Sequence, residues 1–298
     1  MRCTFLTVLC ALIFCSCLQA QNLIPFMEKN RFGFLHKSNG RTVITPQFVF
    51  ASAFKDSIAV AAIGNHIVTA QYGFINEKGK WVITPQFSAA DQFSEGKARV
   101  QKNGKWGYIN KKGVTIIQPQ FSLCYNFSEG LAPASLKNNL WGLIDSSGKF
   151  VLQPVYYNIT SVFAGVVCTQ QNMTDKWEIL TIQNKTSIKT SFTRMNGFVD
   201  SLSAARDTSN KWGFVNMSGQ WVIPPSYTNA GSFCEGLAAV QKDYKSWGFI
   251  NKKGEWVIEP SFDRVGSFKN GLAMMEMGTD IVYINTEGAI LYRFQRGY

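Results

Sequence analysis

Acidic residues recur at one fixed spot in this chain. Glu95, Glu129 and Glu235 each sit in a Phe-x-Glu-Gly stretch, and Asp56 and Asp200 hold the same position in looser copies. Carboxylates serve acid–base catalysis and bind hard cations. A catalytic group, however, is needed once and in one geometry, so a residue repeated along the chain is a poor candidate. The expected role is at a turn, with each carboxylate accepting backbone hydrogen bonds. Repeated cation binding is the alternative, and it lacks a cluster of acids at ligand spacing. The acids outside this pattern, Asp175, Asp207, Asp243 and Asp280, could converge as the carboxylate pair of a glycosidase does, although nothing around them marks them out.

Other catalytic chemistry is sparse. His36 occupies a turn and His66 a longer loop, which supports neither zinc ligation nor a Ser-His-Asp arrangement. The chain holds no phosphate loop and no GxSxG elbow. Cys3, Cys10, Cys15 and Cys17 fall in the first 20 residues, leaving Cys124, Cys168 and Cys234. That odd set without a close pair reads as small buried side chains, and one pair forming would leave a thiol over. No catalytic, metal-binding or cofactor-binding residue is expected, and no cofactor.

The basic excess is more informative. With Arg2 removed, 29 basic residues face 19 acidic ones, a net charge of +10. Lysines recur at one kind of corner: Lys78, Lys111, Lys112, Lys252 and Lys253, with Lys37 similar. Lys105, Lys176, Lys211 and Lys245 recur just before an aromatic residue. Stacked copies would align such lysines into rows that attract acidic polymers or phosphorylated surfaces. The competing reading is plain solubility at exposed turns and strand edges. The five corner lysines are the candidate ligand-contact surface, for a protein, peptide or acidic glycan. Nucleic acid is not expected as a partner, because the chain opens with an export signal.

That signal is residues 1–20. Arg2 precedes an apolar run from Phe5 to Phe14, and Ala20 suits the last position before cleavage. The run is too short to cross a bilayer comfortably, and no later segment reaches 18 consecutive apolar residues. The expectation is a cleaved signal followed by one domain over residues 21–298, exported to the periplasm, outer surface or medium. The alternative is a lipid anchor on Cys17.

Stepping along that domain, the chain repeats itself. "QYGFINEKGKWVITPQF" starts at Gln71, "KWGYINKKGVTIIQPQF" at Lys105, "LWGLIDSSGKFVLQPVY" at Leu140, "KWGFVNMSGQWVIPPSY" at Lys211 and "SWGFINKKGEWVIEPSF" at Ser246. The key aromatic position is Phe32, Tyr72, Trp106, Trp141, Trp177, Trp212 and Trp247, and Ile281 in an eighth copy, a period of about 35 residues. The fifth and eighth copies are degenerate. A second anchor follows each copy: Phe54, Phe93, Phe127, Phe233 and Phe268, with Phe163 and Phe198 in weaker copies. This combination resembles the WG-repeat (KWG) family. The resemblance implies a mostly β repeat and frequent export, and implies no established activity.

Each residue type has a physical reading. Trp247 to Ile250 reads as a strand, and Gly248 inside it implies a close neighbour, expected to be the next repeat. Asn251-Lys252-Lys253-Gly254 reads as a type I turn with glycine at positive φ. Trp256 to Ile258 returns, and Pro260 is expected to end the ladder. Leu237 to Gln241 makes a third strand. The regularly spaced Trp read as core rather than as a sugar-stacking groove. The fold expected is all-β, about eight three-stranded units in an open, solenoid-like array, with a closed β-propeller as the alternative. The function expected is that of an exported, non-catalytic binding or scaffolding module. An extracytoplasmic hydrolase and a structural envelope lipoprotein are the alternatives.

Overall fold

The computed structural model describes residues 22–136 and 139–295. The expected signal at residues 1–20 and the alternative lipid site at Cys17 lie outside the described residues.

The hairpin at the centre of each repeat forms as its residues dictate. Trp247–Ile250 pairs antiparallel with Trp256–Phe262. Asn251 Oδ1 accepts the backbone N–H of Lys253 at 2.9 Å and of Glu255 at 3.1 Å, and Gly254 takes φ +85°. This is the expected turn. The close approach at Gly248 differs from expectation. A Cβ there would lie 2.6 Å from the Ile258 carbonyl oxygen and 2.8 Å from the Pro260 nitrogen. The crowding neighbour is the repeat's own returning strand, not the next repeat. Trp247 pairs with Phe262 but Phe249 with Ile258, so the returning strand bulges over the glycine. Pro260 sits inside that strand at the bulge, where its missing N–H is tolerated, and does not end it.

Each unit after the first has four strands, not three. The stretch read as a mere crossing contains a short strand: Arg264–Val265 pairs with Leu272–Met277. Two paired residues carry no periodicity to read. Seven four-stranded antiparallel sheets therefore follow a sheet that has three strands among the described residues, Leu23–Glu28, Arg31–His36 and Thr42–Phe48. We number these sheets as blades: residues 23–48, 50–87, 89–121, 123–156, 158–189, 194–227, 229–262 and 264–295. Within a blade the short strand is innermost and the bulged strand outermost. The first turn is tight: in blade three Ser94 bridges Lys97 across Glu95 (φ +50°) and Gly96 (φ +74°), a primed hairpin turn.

The two aromatic anchors of the sequence meet between blades. Phe34 packs on Phe54 with centroids 4.7 Å apart, Phe74 on Phe93 at 4.9 Å, Tyr108 on Phe127 at 4.8 Å, Phe214 on Phe233 at 4.8 Å and Phe249 on Phe268 at 5.0 Å. In each pair the first ring belongs to the strand next to one blade's outermost strand and the second lies at or beside the next blade's inner turn. Such pairs contribute about 0.5–1.5 kcal/mol beyond their burial. The core is thus a series of inter-blade seams, as in the cluster joining Phe74, Ile83 and Phe87 to Phe93, Val100 and Ile109.

The series closes on itself. Tyr283 of blade eight donates to the Pro25 carbonyl of blade one at 2.6 Å, and Lys37 Nζ donates to the Asn270 carbonyl at 2.9 Å. Phe26 stacks on Phe294 at 6.3 Å, and Tyr292 donates to the Lys37 carbonyl. The seam repeats the contact made elsewhere. A Cβ on Gly79 would sit 3.2 Å from Ile44 of the preceding blade, and one on Gly40 would sit 3.7 Å from Tyr292 of blade eight. The open array is therefore wrong, and the molecule is an eight-bladed β-propeller. Whole terminal units, a period of about 35 residues and atypical end copies that read as caps favour an open stack, since propellers often share a blade between the termini and use blades of about 40 residues or more. Here closure is by packing of blade eight against the three described strands of blade one. Among the described residues no helix is long and apolar enough to cross a membrane.

Candidate ligand-binding surfaces

The repeated acids clamp blades together. Glu95 accepts the backbone N–H groups of Glu129 and Gly130 in the next blade at 2.6 and 3.0 Å. Glu129 does the same to Ala164 and Gly165 at 2.5 and 2.9 Å, and Glu235 to Asn270 and Gly271 at 2.5 and 2.8 Å. The preceding residue reinforces each clamp. Ser94 donates to the Phe127 carbonyl at 2.9 Å, Ser128 to Val162 at 2.8 Å and Cys234 to Phe268 at 2.9 Å. Asp56 and Asp200 are one methylene shorter. They meet Lys111 at 3.2 Å and Lys252 at 3.5 Å in the following blade. In blade five the buried anchor is Val162, not Phe163, which falls one place later and bridges Val166.

The five candidate lysines stand on the turns between third and outermost strands. Strand direction alternates across a blade, so these turns share a face with the clamp turns. Lys78 belongs to blade two, Lys111 and Lys112 to blade three, and Lys252 and Lys253 to blade seven. Lys111 and Lys252 form the half-exposed ion pairs just described. The ammonium groups of Lys78, Lys112 and Lys253 have no such partner among the described residues. The structure brings three of the five together on adjoining blades and sets the blade-seven pair apart. The row is broken by Ser146 and Ser147 in blade four, Met217 and Ser218 in blade six, and Thr286 and Glu287 in blade eight. Lys105 lies at the opposite end of its strand and reaches Ser122 at 3.3 Å.

The remaining candidates have local roles. Asp175 binds Asn172, Asp207 the Lys211 N–H, Asp243 the Lys245 N–H and Asp280 the Arg293 guanidinium. His36 stands in the turn position that Asn holds elsewhere and bonds Ser38, and His66 caps a short 3-10 turn. Cys124 and Cys168 are buried and Cys234 partly so. Burial pushes the Cys124 and Cys168 thiols up, to about 11 and about 12. Sequence reasoning missed one polar contact across the centre. Lys269 of blade eight donates to Gln92 of blade three at 2.5 Å, and Gln92 in turn donates to the Ala53 carbonyl of blade two at 2.5 Å. Burial, then the neighbouring Lys55, holds the Lys269 ammonium below its usual range. Lys269 holds the place of Ser94, Ser128 and Cys234 in the other inner turns, but the group it reaches across the ring is set by tertiary packing, which the repeat does not record.

A propeller whose repeated polar residues bind its own blades together is the class these observations define. The chain belongs to the WG containing repeat family, which matches residues 32–65, 72–106, 106–141, 141–177, 212–245 and 247–278. No curated protein matches the sequence. Among solved structures the chain is similar to apo AztD from Citrobacter koseri (12% identity, 92% of this chain and 94% of that one, TM-score 0.51). It is also similar to the dihydro-heme d1 dehydrogenase NirN in complex with DHE (10% identity, 93% and 73%, TM-score 0.60). At these identities the likeness extends to the fold alone.

Proposed function

We propose that this protein is an exported, non-catalytic propeller that serves as a binding or scaffolding module for a protein, peptide or acidic glycan. One observation supports the reading. The repeated acids and turn asparagines are bonded within the fold, while Lys78 and Lys112 present unpaired ammonium groups on adjoining turns. Repeated lysines on one face raise the local concentration of acidic partners, most strongly at low salt.

Retention of the mature chain on immobilised heparin, as an acidic glycan probe, tests this. The K78E/K112E variant is expected to elute at clearly lower salt than wild type while keeping its unfolding midpoint. Equal elution of the two would remove the lysine surface from the proposal. Sequencing the N-terminus of the protein recovered outside the cytoplasm tests export, with Gln21 expected first.

A further inference from the structure

The strongest unassigned feature is a cleft between blades seven and eight. It encloses about 360 Å³, and its apolar walls are Trp247, Phe249, Phe268 and Leu237. The sibling blades show what the same space holds elsewhere. In blade three the Arg99 guanidinium lies 4.9 Å from the Trp106 ring centroid and is held by Asp91 at 2.8 Å. In blade four Tyr125 stacks on Trp141 at 4.8 Å. Both blades thus cover their tryptophan with a flat group of their own.

Blade seven does not. Counted from the buried Phe of each inner turn, Arg99 corresponds to Ala239, and both Asp91 and Tyr125 correspond to Gly231. Backbone geometry does not force that glycine, since a Cβ there would meet nothing closer than 3.6 Å. The covering groups are missing, and a space of that shape opens beside Trp247. The charged groups differ as well. Where blade three supplies a carboxylate, blade seven has none, and the cleft is lined instead by Arg264. Arg264 is largely exposed and lies 3.8 Å from Glu276 through Nε. The Ser232 and Ser267 hydroxyls also line the cleft, without hydrogen-bond partners among the described residues.

We infer that this cleft binds an aromatic acid: a flat apolar body on Trp247, with its carboxylate met by Arg264 and the two serine hydroxyls. Clefts of this size, apolar with a few convergent polar groups, take small ligands or single side chains. A free aromatic acid and the C-terminal residue of a peptide share this chemistry. The site is separate from the lysine turns, so the two readings fail independently.

Calorimetric titration of the mature chain with 3-phenylpropanoate tests the inference, beside the peptide Gly-Gly-Gly-Phe with a free or an amidated C-terminus. Saturable binding of the acid is expected, with 3-phenylpropanamide and the amidated peptide about tenfold weaker, the loss of one charge-assisted contact. Arg264→Gln, a surface change, should weaken binding by a similar factor. Ala239→Arg should abolish it by supplying an internal occupant, and K78E/K112E should leave it unchanged. Stronger binding of the peptide than of the free acid assigns the site to a chain terminus, and the reverse assigns it to a metabolite-sized acid. Absence of saturable binding by both, or wild-type affinity in Arg264→Gln, overturns the inference.

Discussion

Gly107 would bring a Cβ to 2.5 Å from the Ile117 carbonyl oxygen and 2.6 Å from the Pro119 nitrogen, both backbone atoms that cannot swing aside. Gly107→Ala is therefore expected to destabilise by about 3 kcal/mol, because the bulged strand must shift. Gly231→Ala, with its nearest contact at 3.6 Å, should stay within about 1 kcal/mol of wild type. Urea denaturation of the two variants separates the cases, and equal midpoints would refute the steric account of the WG glycine. The sequence showed that something approaches this glycine, but not what. A strand bulge belongs to pairing register, and the residue pattern does not print register. The repeated acids were legible to the same depth. The three glutamates bond backbone N–H groups at a turn, as expected, but that turn belongs to the next blade, 34 to 36 residues on, and Asp56 and Asp200 instead meet Lys111 and Lys252. Identical copies cannot say which of them touch.

At the level of strands, the hairpin and the Leu237–Gln241 strand were legible because turn chemistry and alternation announce them. The innermost strand was not, having only two ladder residues in most blades. Its energetics depend on single carbonyls. The Tyr125 backbone N–H donates to the Pro133 carbonyl at 2.9 Å, and Pro133 has no N–H to offer the Tyr125 carbonyl in return. Tyr108 of the preceding blade fills that place at 2.6 Å. Blade eight carries Tyr283 at the corresponding position, and its hydroxyl serves Pro25 of blade one, which has no innermost strand among the described residues. Phe stands at this position in blades one, two, six and seven, so the hydroxyl bond is made only by blades three and eight among the described residues. Tyr108→Phe is expected to cost about 1–2 kcal/mol by stranding the Tyr125 carbonyl. Thermal melts of this variant check it, and an unchanged midpoint would show that the bond does not stabilise the seam.

For the whole molecule, the number of units and their period were written in the sequence, while the choice between stack and ring was not. Both architectures repeat one unit, and they differ in the angle between neighbours. That angle is set by how the Phe pair and the turn glycine seat one blade on the next, a matter of tertiary packing. The first and last copies looked like caps because their residues depart from the pattern. In the structure they depart because they meet each other: Tyr292 replaces the usual Ile beside Gly40, and Phe26 stacks on Phe294. Closure places Asn22 and Gln295 in adjacent blades, whereas an open array would set them at opposite ends. A circular permutant tests this. Residues 295 and 22 would be joined by a short Gly-Ser linker and the chain reopened in the exposed turn at Thr208–Asn210. The closed ring predicts one cooperative unfolding transition within a few degrees of the parent, because every seam is kept and only connectivity changes. In an open stack the short linker could not span the ends, and joining them would strain or unfold the terminal units. A broad transition or a large fall in melting temperature, with the same reopening tolerated when the linker is omitted and both fragments are co-expressed, would place the two termini apart and reject the ring.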